Sequence, residues 1–226
     1  MKKRSKRYKE SLKQVDASKV YSLKEAISSL KKMPNTKFDS SVDLHLQLGV
    51  DTKKPEEMVR GTVVLPHGRG KSVKIAVFCK GEAEKDAKEA GADIVGGEDL
   101  INKVSAGFMD FDSAVATPDI MKELSKLGKV LGPRGLMPSP KTGTLTNDVG
   151  KAVKELKKGK VEFKVDKQGG IHISIGKMSF DETRIYENAS KVIEAINAAH
   201  PATLKGTYIK NLSVASTMSP GFKIAL

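Results

Sequence analysis

The chain has 226 residues, of which 38% are hydrophobic and 5% aromatic, with no Trp, so its core must consist mainly of aliphatic side chains. Its formal net charge of +13 favours a polyanionic partner, a nucleic acid more than an anionic membrane surface. The single Cys79 excludes a disulfide framework and a Cys-based zinc site, and no apolar run is long enough to cross a bilayer. Because the basic N-terminus is not followed by an apolar segment, we expect a cytoplasmic protein.

The first segment, residues 2–9, contains six basic residues and no acidic one. It can be a solvated tail, or an arm that becomes ordered when it binds nucleic acid. In the second interpretation, the arm contributes Arg4, Lys6 and Arg7 to binding.

The N-terminal flank continues with one helix and two strands. Ser22 and Glu25 form a capping-box pattern that predicts a helix over residues 23–33. Apolar residues then alternate with polar ones over residues 42–50, which predicts a strand with one buried face. A second strand is predicted at 61–65.

The middle of the chain has a different pattern, in which short apolar strands alternate with helices. Strands are predicted at 73–78, 93–95 and 113–116, and helices at 82–90, 98–105, 119–127 and 148–157. Such alternation indicates βαβ units and a parallel sheet covered on both faces. Residues 127–144 contain four Gly and three Pro and predict a compact loop, either a binding loop or a rigid connector.

After residue 159 the alternating pattern returns. Strands at 161–165 and 171–175, joined by the turn at 167–170, predict a β-hairpin. Ser179 and Glu182 predict a second capping box, starting a long helix that ends near His200. Residues 207–215 predict a final strand.

Together these patterns predict a mixed α/β protein with two domains. We expect residues 1–66 and 160–226 to form one discontinuous α+β domain with an antiparallel sheet, because each flank alone is near the lower limit for a stable core. Residues 67–159 would form an inserted, Rossmann-like, three-layer α/β domain with a parallel sheet. The flanks carry 24 basic and 14 acidic residues and the middle 16 and 13, so a polyanion should bind the discontinuous domain first.

Signals for catalysis are weak. The chain has no complete phosphate-binding loop and no nucleophile motif, and its four His are scattered without metal-ligand spacing. We therefore expect no cofactor, no metal and no enzymatic activity. Two alternatives remain open at this point: an α/β enzyme that binds a phosphorylated small molecule at the carboxyl ends of the middle sheet, and a protein that coats nucleic acids generally.

Two short segments have residue types suited to RNA. Thr217 and Met218 follow the last predicted strand, where hydroxyl groups and a flexible thioether could contact a ribose or base, although an ordinary strand end is also consistent. Lys37 and Phe38 are similarly ambiguous, because Phe38 could be a core residue or could cover an RNA backbone beside the Lys37 ammonium.

Taken together, motifs along nearly the whole chain resemble the family of bacterial large-subunit ribosomal protein one, the stalk protein beside the tRNA exit site. The matching segments run collinearly: 37–39, 59–62, 65–68, 90–97, 109–112, 116–119, 131–136, 166–167 and 216–218. No single motif is specific, but together they are.

The resemblance implies the split two-domain architecture and direct binding to large-subunit ribosomal RNA. It also implies a mobile stalk that helps release deacylated tRNA from the exit site, and repression of translation through the protein's own operon mRNA. We expect a monomer off the ribosome. The RNA-contacting positions implied by the family are Lys37, Phe38, Thr217 and Met218, with the neighbours Lys167, Ser213, Ser216 and Ser219. The family usually has Gly where this chain has Ser219, and Ser would fit less well if that position required a positive φ or a close approach of the backbone to ribose.

Overall fold

The computed structural model describes residues 4–16, 19–34, 36–54, 57–81, 83–204 and 206–225. The chain divides into two compact units. The discontinuous unit comprises Met1–Gly70 and Val161–Leu226, and the inserted unit comprises Lys71–Lys160. Residues 2 and 3 of the expected basic arm lie outside the described residues.

The discontinuous unit contains a four-stranded sheet with the order β7-β1-β8-β9, all antiparallel. A separate two-stranded sheet pairs β2 with β6. The elements of this unit are α1 (Lys6–Lys13), α2 (Leu23–Lys32), β1 (Ser41–Leu48), β2 (Arg60–Val64), β6 (Lys160–Lys164), β7 (Gly170–Lys177), α8 (Glu182–Ala198), β8 (Ile209–Ser216) and β9 (Phe222–Ile224).

Alternation along β1 determines how this sheet is buried. Every second side chain of β1 is buried, from Val42 to Leu48, and the residues between them are half-exposed. Buried side chains of α2 and α8, among them Ile27 and Val192, belong to the same core as those of β1. One face of the sheet therefore packs on helices, and the other stays polar and open.

The predicted hairpin at 161–175 is wrong in its pairing. Both strands exist, but β6 pairs with β2 and β7 pairs with β1. The turn at 167–170 is closed by the Asp166 carboxylate, whose Oδ1 accepts the backbone N–H of Gln168 at 2.8 Å and of Gly170 at 2.7 Å. A tight turn thus connects strands of two different sheets.

Only one of the two predicted capping boxes forms. Both reciprocal hydrogen bonds between Ser22 and Glu25 are present at the start of α2, which confirms the first. The second is wrong, because the N-cap residue of α8 is Asp181, which makes no side-chain capping hydrogen bond. Ser179 is instead held by the Asp39 carboxylate, to which it donates its backbone N–H at 3.1 Å and its hydroxyl at 2.8 Å.

The basic N-terminal segment is helical from Lys6 to Lys13, and both interpretations of residues 2–9, a solvated segment and a nucleic-acid-binding arm, stay predictions. Ser5 caps α1 by accepting the backbone N–H of Tyr8, and the Arg4 guanidinium lies 4.7 Å from the centre of the Tyr8 ring. Strand β9 was not predicted from the sequence. It packs the buried Phe222 edge-on against Tyr21, with ring centres 5.3 Å apart.

The inserted unit is built on a parallel three-stranded sheet with the order β4-β3-β5. Its elements are β3 (Ile75–Phe78), α3 (Ala83–Glu89), β4 (Ile94–Gly96), α4 (Glu98–Ser105), β5 (Ser113–Ala116), α5 (Met121–Leu124), α6 (Gly128–Leu131) and α7 (Val149–Lys157). All four residues of β3 are buried, with Phe78 and Val77 in different core clusters. The expected combination of an antiparallel sheet and a separate parallel sheet is confirmed.

The Gly- and Pro-rich segment forms an ordered loop with its own hydrogen bonds. The Ser139 backbone N–H donates to Thr144 Oγ1 at 2.9 Å, and the buried Thr142 hydroxyl donates to the Ser139 carbonyl at 3.0 Å. The backbone N–H of Ala116 in β5 donates to the Thr144 carbonyl at 2.9 Å. These bonds attach the loop to the parallel sheet.

Candidate nucleic-acid interface

The face of the four-stranded sheet that does not pack on α2 and α8 is lined mainly by polar side chains. Side chains opposite to the buried ones line it in rows that follow the strand register. They are Asp43, His45, Gln47, His172, Ser174, Asn211, Ser213, Ala215 and Lys223. We call this surface the open face.

Two histidines occupy the middle of the open face. His45 and His172 are directly opposite each other on β1 and β7, and their Nδ1 atoms lie 2.9 Å apart. Such a hydrogen bond needs one N–H and one lone pair, so the pair can carry at most one proton more than its neutral form without breaking the bond. The two residues are 127 positions apart in the sequence, and only strand pairing brings them together.

The charges around the histidine pair have opposite signs. Burial, followed by the nearby His172, lowers the pKa of His45, and Asp43 acts in the opposite direction. Asp166 lies at the edge of the face, with its Oδ2 3.8 Å from His172 Nε2. Hydrogen bonds from the backbone N–H groups of Gly170 and Gln168 lower the pKa of Asp166, so it stays ionised.

One end of the open face unites most of the residues expected from the sequence. The backbone N–H of Thr217 donates to the Ser41 carbonyl at 3.0 Å, and the Ser41 N–H donates to Thr217 Oγ1 at 3.2 Å. The start of β1 and the end of β8 are therefore joined, which brings the segment containing Lys37 and Phe38 to the same end of the sheet as Met218. Phe38 is 56% exposed, so its interpretation as a core residue is wrong.

The turn after β8 has an unusual backbone. Met218 is the one non-glycine residue with a positive φ among the described residues, at 67°, and its side chain is 67% exposed. The positive-φ condition stated for Ser219 is therefore not met, because the left-handed position is residue 218. Ser219 Oγ accepts the backbone N–H of Ser216 at 2.9 Å and donates to the Pro220 carbonyl at 3.0 Å, which holds the turn.

Not all predicted positions meet in one place. Lys167 lies in the turn at the opposite end of β1, where the Thr52 hydroxyl donates to its carbonyl at 2.9 Å. The length of β1 separates it from Thr217, about 24 Å for eight residues. Ser213 lies in the middle of the open face opposite His45, whereas Ser216 has the strand parity of the buried Val214 and does not line it.

Sequence analysis missed several polar groups of this surface. Lys177, at the end of β7, donates to Ser41 Oγ at 3.0 Å and so adds a cation beside Thr217. The pairing of β8 with β1 and β9 places Asn211 and Lys223 on the open face. Strand alternation could have indicated Asn211, but Lys223 belongs to a strand too short to show a pattern.

The carboxyl ends of the parallel strands, where an enzyme of this architecture would bind its ligand, carry a compensated charge cluster. Lys80 Nζ lies 2.6 Å from Glu98 Oε1 and 3.1 Å from Glu123 Oε1. Hydrogen bonds to these carboxylates raise the pKa of Lys80, and the one from Lys80 lowers the pKa of Glu98. No cluster of three potential metal ligands occurs in the described part of the chain. None of its helices is long and apolar enough to traverse a bilayer.

A strongly basic chain with an open polar sheet face and exposed apolar side chains at its end is typical of nucleic-acid-binding proteins. Comparison with known proteins identifies the family. Residues 30–220 match the model of the ribosomal protein L1p/L10e family. The protein named large ribosomal subunit protein uL1 from Persephonella marina is 55% identical over 228 residues, which cover 99% of this chain and 94% of that relative. The chain belongs to the ribosomal protein L1p/L10e family.

Family membership confirms the resemblance predicted from the sequence motifs. The chain is a ribosomal protein and not an enzyme, and the cytoplasmic ribosome is its location. The alternative of an α/β enzyme is thereby wrong.

Proposed function

We propose that this protein is a constituent of the large ribosomal subunit that binds large-subunit ribosomal RNA through the open face. Three features support the proposal: the family, the excess positive charge and the unpartnered polar face. The finer roles implied by the family follow from the same binding mode. They are a mobile stalk that assists release of deacylated tRNA from the exit site, and repression of the protein's own operon mRNA.

The chemistry of the open face suits an RNA more than a small anion. Its middle offers hydroxyl, amide and imidazole groups that can hydrogen-bond to ribose 2′-hydroxyls and base edges. Cations lie at its ends and edge, where they can meet phosphates: Lys37 and Lys177 at one end, Lys167 at the other, and Lys223 on the edge strand. Polar recognition in the middle and charge at the periphery would position a folded RNA segment along the strands.

The observation that carries the proposal is the conformation of Met218. A large apolar side chain is 67% exposed on a backbone with φ of 67°, a conformation that costs a non-glycine residue about 1–2 kcal/mol. Exposure and strain at one residue indicate a functional contact, because neither improves folding. Met218 and Phe38 would pack against ribose or base surfaces at this end of the RNA.

Two further partners complete the proposal. The operon mRNA would compete with ribosomal RNA for the open face, so repression would cease while ribosomal RNA is in excess. Lys6 and Arg7 of helix α1, with Arg4 just before it, would form a basic arm that contacts RNA phosphates. Off the ribosome the protein would be a monomer.

The test compares two exposed methionines of the discontinuous unit. Met218→Ala should weaken binding to large-subunit ribosomal RNA by about 10-fold, as expected for a residue at the centre of a contact. Met58→Ala is the matched control, because Met58 is 45% exposed but precedes β2 of the separate two-stranded sheet, and the affinity of this variant should stay within about 2-fold of wild type. Equal affinities for both variants would contradict the site assignment.

The same assay separates specific binding from general coating of nucleic acids. Affinity for ribosomal RNA should fall linearly with salt on a double-logarithmic plot, because lysine–phosphate contacts release counterions. At moderate salt the wild-type protein should discriminate strongly against an unrelated RNA of equal length. Equal affinity for the two RNAs would favour the coating alternative instead.

A further inference from the structure

The two edges of the parallel sheet in the inserted unit differ. At the β5 edge, the Ala116 backbone N–H donates to the Thr144 carbonyl at 2.9 Å, and the Thr146 N–H donates to the Ala116 carbonyl at 3.1 Å. The Gly- and Pro-rich loop therefore closes that edge. At the opposite edge β4 pairs with β3, and no further strand of the described residues pairs with it. We call the outer side of Ile94–Gly96 the β4 edge.

The backbone of Val95 is directed toward the outside of the sheet. The Gly96 carbonyl accepts the backbone N–H of Cys79 at 3.2 Å, so the backbone groups of Gly96 face β3. Successive residues of a strand direct their N–H and carbonyl groups to opposite sides, so those of Val95 point away from β3. The Phe78 carbonyl agrees with this parity, because it accepts the N–H of Thr117 after β5, at 3.1 Å. Val95 thus offers one donor and one acceptor to an added strand.

A groove of about 360 Å³ lies against β4. The three residues of β4 line it, together with Leu100 of α4 and Glu84 of α3. Leu100 shares a core cluster with Phe78, on one face of the sheet. Ala87 of α3 shares another cluster with Val77, on the opposite face. The groove therefore lies between two helix layers, at the place where a further strand would continue the sheet.

An exposed aromatic ring adds an apolar contact to the groove. Phe108 lines it and is 40% exposed. The Phe108 backbone N–H donates to the Lys103 carbonyl at 3.0 Å, so this position is fixed to the end of α4. Ile94 and Val95 are half-buried beside it. An added strand would find a ring against which an apolar side chain can pack, next to the free backbone groups.

The sequence of β4 does not protect this edge against pairing. Free edge strands usually carry a charged residue, a proline or a bulge that prevents another chain from joining them. Ile94, Val95 and Gly96 include neither a charge nor a proline, and their register with β3 is regular. Because the strand has only three residues, side chains in the groove must supply part of the affinity.

The charge of the groove is opposite to that of the whole chain. Its charged lining residues are Glu84, Asp99 and Lys103, two carboxylates and one ammonium, in a chain with a net charge of +13. Within the described part of the chain, neither carboxylate makes an ion pair. Such a groove disfavours RNA phosphates and favours a cationic ligand.

We propose that the β4 edge binds an extended, basic peptide segment of a partner protein, which adds a strand to the parallel sheet. The backbone of the peptide pairs with Val95, and one of its apolar side chains packs on Phe108. Its basic side chains lie near Glu84 and Asp99. Backbone pairing tolerates many sequences, so the groove selects its partner by extended conformation, an apolar side chain and positive charge. The proposal depends neither on the open face nor on RNA binding.

The test measures fluorescence anisotropy of a labelled peptide of about nine alternating lysine and valine residues, titrated with the full-length protein. Its anisotropy should rise to saturation. The same peptide with alternate backbone nitrogens methylated on the pairing side should bind at least about 10-fold more weakly, because its hydrogen bonds are lost. A peptide with glutamate in place of lysine should also bind at least about 10-fold more weakly.

Two variants locate the site. Phe108→Ser should weaken binding of the lysine–valine peptide by about 5–10-fold, because the apolar contact is lost. Val130→Ser is the matched control, since Val130 is 38% exposed on α6 of the same unit, and its effect should stay below about 2-fold. Val95→Pro removes the outward N–H and should weaken binding by at least about 5-fold while the pairing with β3 remains. Protection of the buried Cys79 thiol from alkylation shows that each variant is folded.

Four outcomes would overturn the proposal. Equal binding of the methylated and unmethylated peptides would exclude strand addition. Equal losses for Phe108→Ser and Val130→Ser would exclude this location, and this comparison stands even if Val95→Pro exposes Cys79. Tighter binding of the glutamate peptide would exclude a basic partner. Self-association of the full-length protein that the lysine–valine peptide abolishes would assign the β4 edge to a second copy of this chain.

Discussion

The two sheets of this protein differ in how many of their faces are covered. The antiparallel sheet packs one face against α2 and α8 and leaves the other polar. The parallel sheet has core clusters on both sides, with Phe78 and Leu100 in one and Val77 and Val153 in the other. Crossover helices produce this double coverage, since each βαβ connection places a helix on a face.

This difference determines where each unit can bind a partner. The antiparallel sheet can present eight-residue strands directly to an RNA, because its outward side chains do not pack against a helix. The inserted unit can bind only through the helices and loops that cover its sheet, or at the β4 edge. Its positive excess lies within residues 118–141, which hold five basic and two acidic residues, whereas the rest of the unit holds eleven of each.

The largest expected effect tests whether the two units are energetically separate. Phe78 and Phe222 are both fully buried, one in each unit. Replacing either with Ala should cost about 3–5 kcal/mol, from lost burial and the cavity left behind. If the units unfold separately, Phe78→Ala destabilises only the inserted unit and Phe222→Ala only the discontinuous one.

The chain contains a natural reporter for each unit. All four Tyr residues lie in the discontinuous unit, and there is no Trp, so tyrosine fluorescence follows that unit alone. The single Cys79 is buried in the inserted unit, where burial raises the pKa of its thiol to about 11, so it should react with alkylating reagents only after opening. Denaturant titrations of both variants with both readouts decide the question. A shift of both readouts by each variant would show one cooperative unit.

The elements that the sequence predicted correctly are those with a long local pattern. The alternation in β1 and the capping box of α2 are visible within a few residues. The pairing of β6 and β7 was wrong because their partners are distant in sequence, while the intervening turn imitates that of a hairpin. Ser179 does not cap α8, because its hydroxyl donates to Asp39, a residue 140 positions away. Local patterns identify elements, but long-range contacts decide how they are joined.

In the candidate RNA-binding site, too, local motifs indicated some residues, and long-range strand pairing was needed for the others. Sequence motifs located Thr217, Met218, Lys37 and Phe38, and sheet pairing then placed them at one end of the open face. Lys167 was grouped with them but lies at the other end of the strands. The histidine pair and Lys177 were missed because only strand register reveals which side chains of β1 and β7 are neighbours.

A smaller effect concerns the strained turn. Met218→Gly should stabilise the protein by about 0.5–1 kcal/mol, because glycine accepts a φ of 67° without steric cost but gains entropy when unfolded. Its affinity for ribosomal RNA should nevertheless fall, since the exposed thioether is lost. Thermal denaturation and RNA binding measured on the same samples check both directions.

Ser219→Gly is the informative control for that turn. It introduces the residue usual in the family but removes the hydroxyl that accepts the Ser216 N–H and donates to Pro220. We expect a loss of about 1 kcal/mol, the usual net value of a hydrogen bond. A stabilising effect of Ser219→Gly, or a destabilising one of Met218→Gly, would contradict the assignment of strain to residue 218.

The smallest effect concerns the histidine pair. The pKa of His45 is lowered from 6.5 in the folded protein, so between these two pKa values the unfolded chain binds more protons. The stability contributed by neutral His45 is therefore complete above about pH 6.5 and decreases as the pH falls through that window. Because His45 is only half-buried, solvent screening should keep the loss below about 1 kcal/mol between pH 7 and 5.5. His45→Gln should flatten the dependence, and His200→Gln should not.

Protonation of the histidine pair should raise the affinity for RNA, whereas it lowers the stability of the fold. A protonated histidine pair adds a positive charge to the middle of the open face, where Asp43 precedes His45 by two residues, Asp166 lies beside His172, and Lys223 lies on β9 beyond Ser213. Phosphates near the pair would favour this charge, so affinity for ribosomal RNA should rise slightly as stability falls. Binding titrations at about pH 7.5 and 5.5 with wild type and His45→Gln measure the difference. If the affinity of the wild type fell together with its stability, the histidine pair would not face RNA, and recognition would be confined to the ends of the strands.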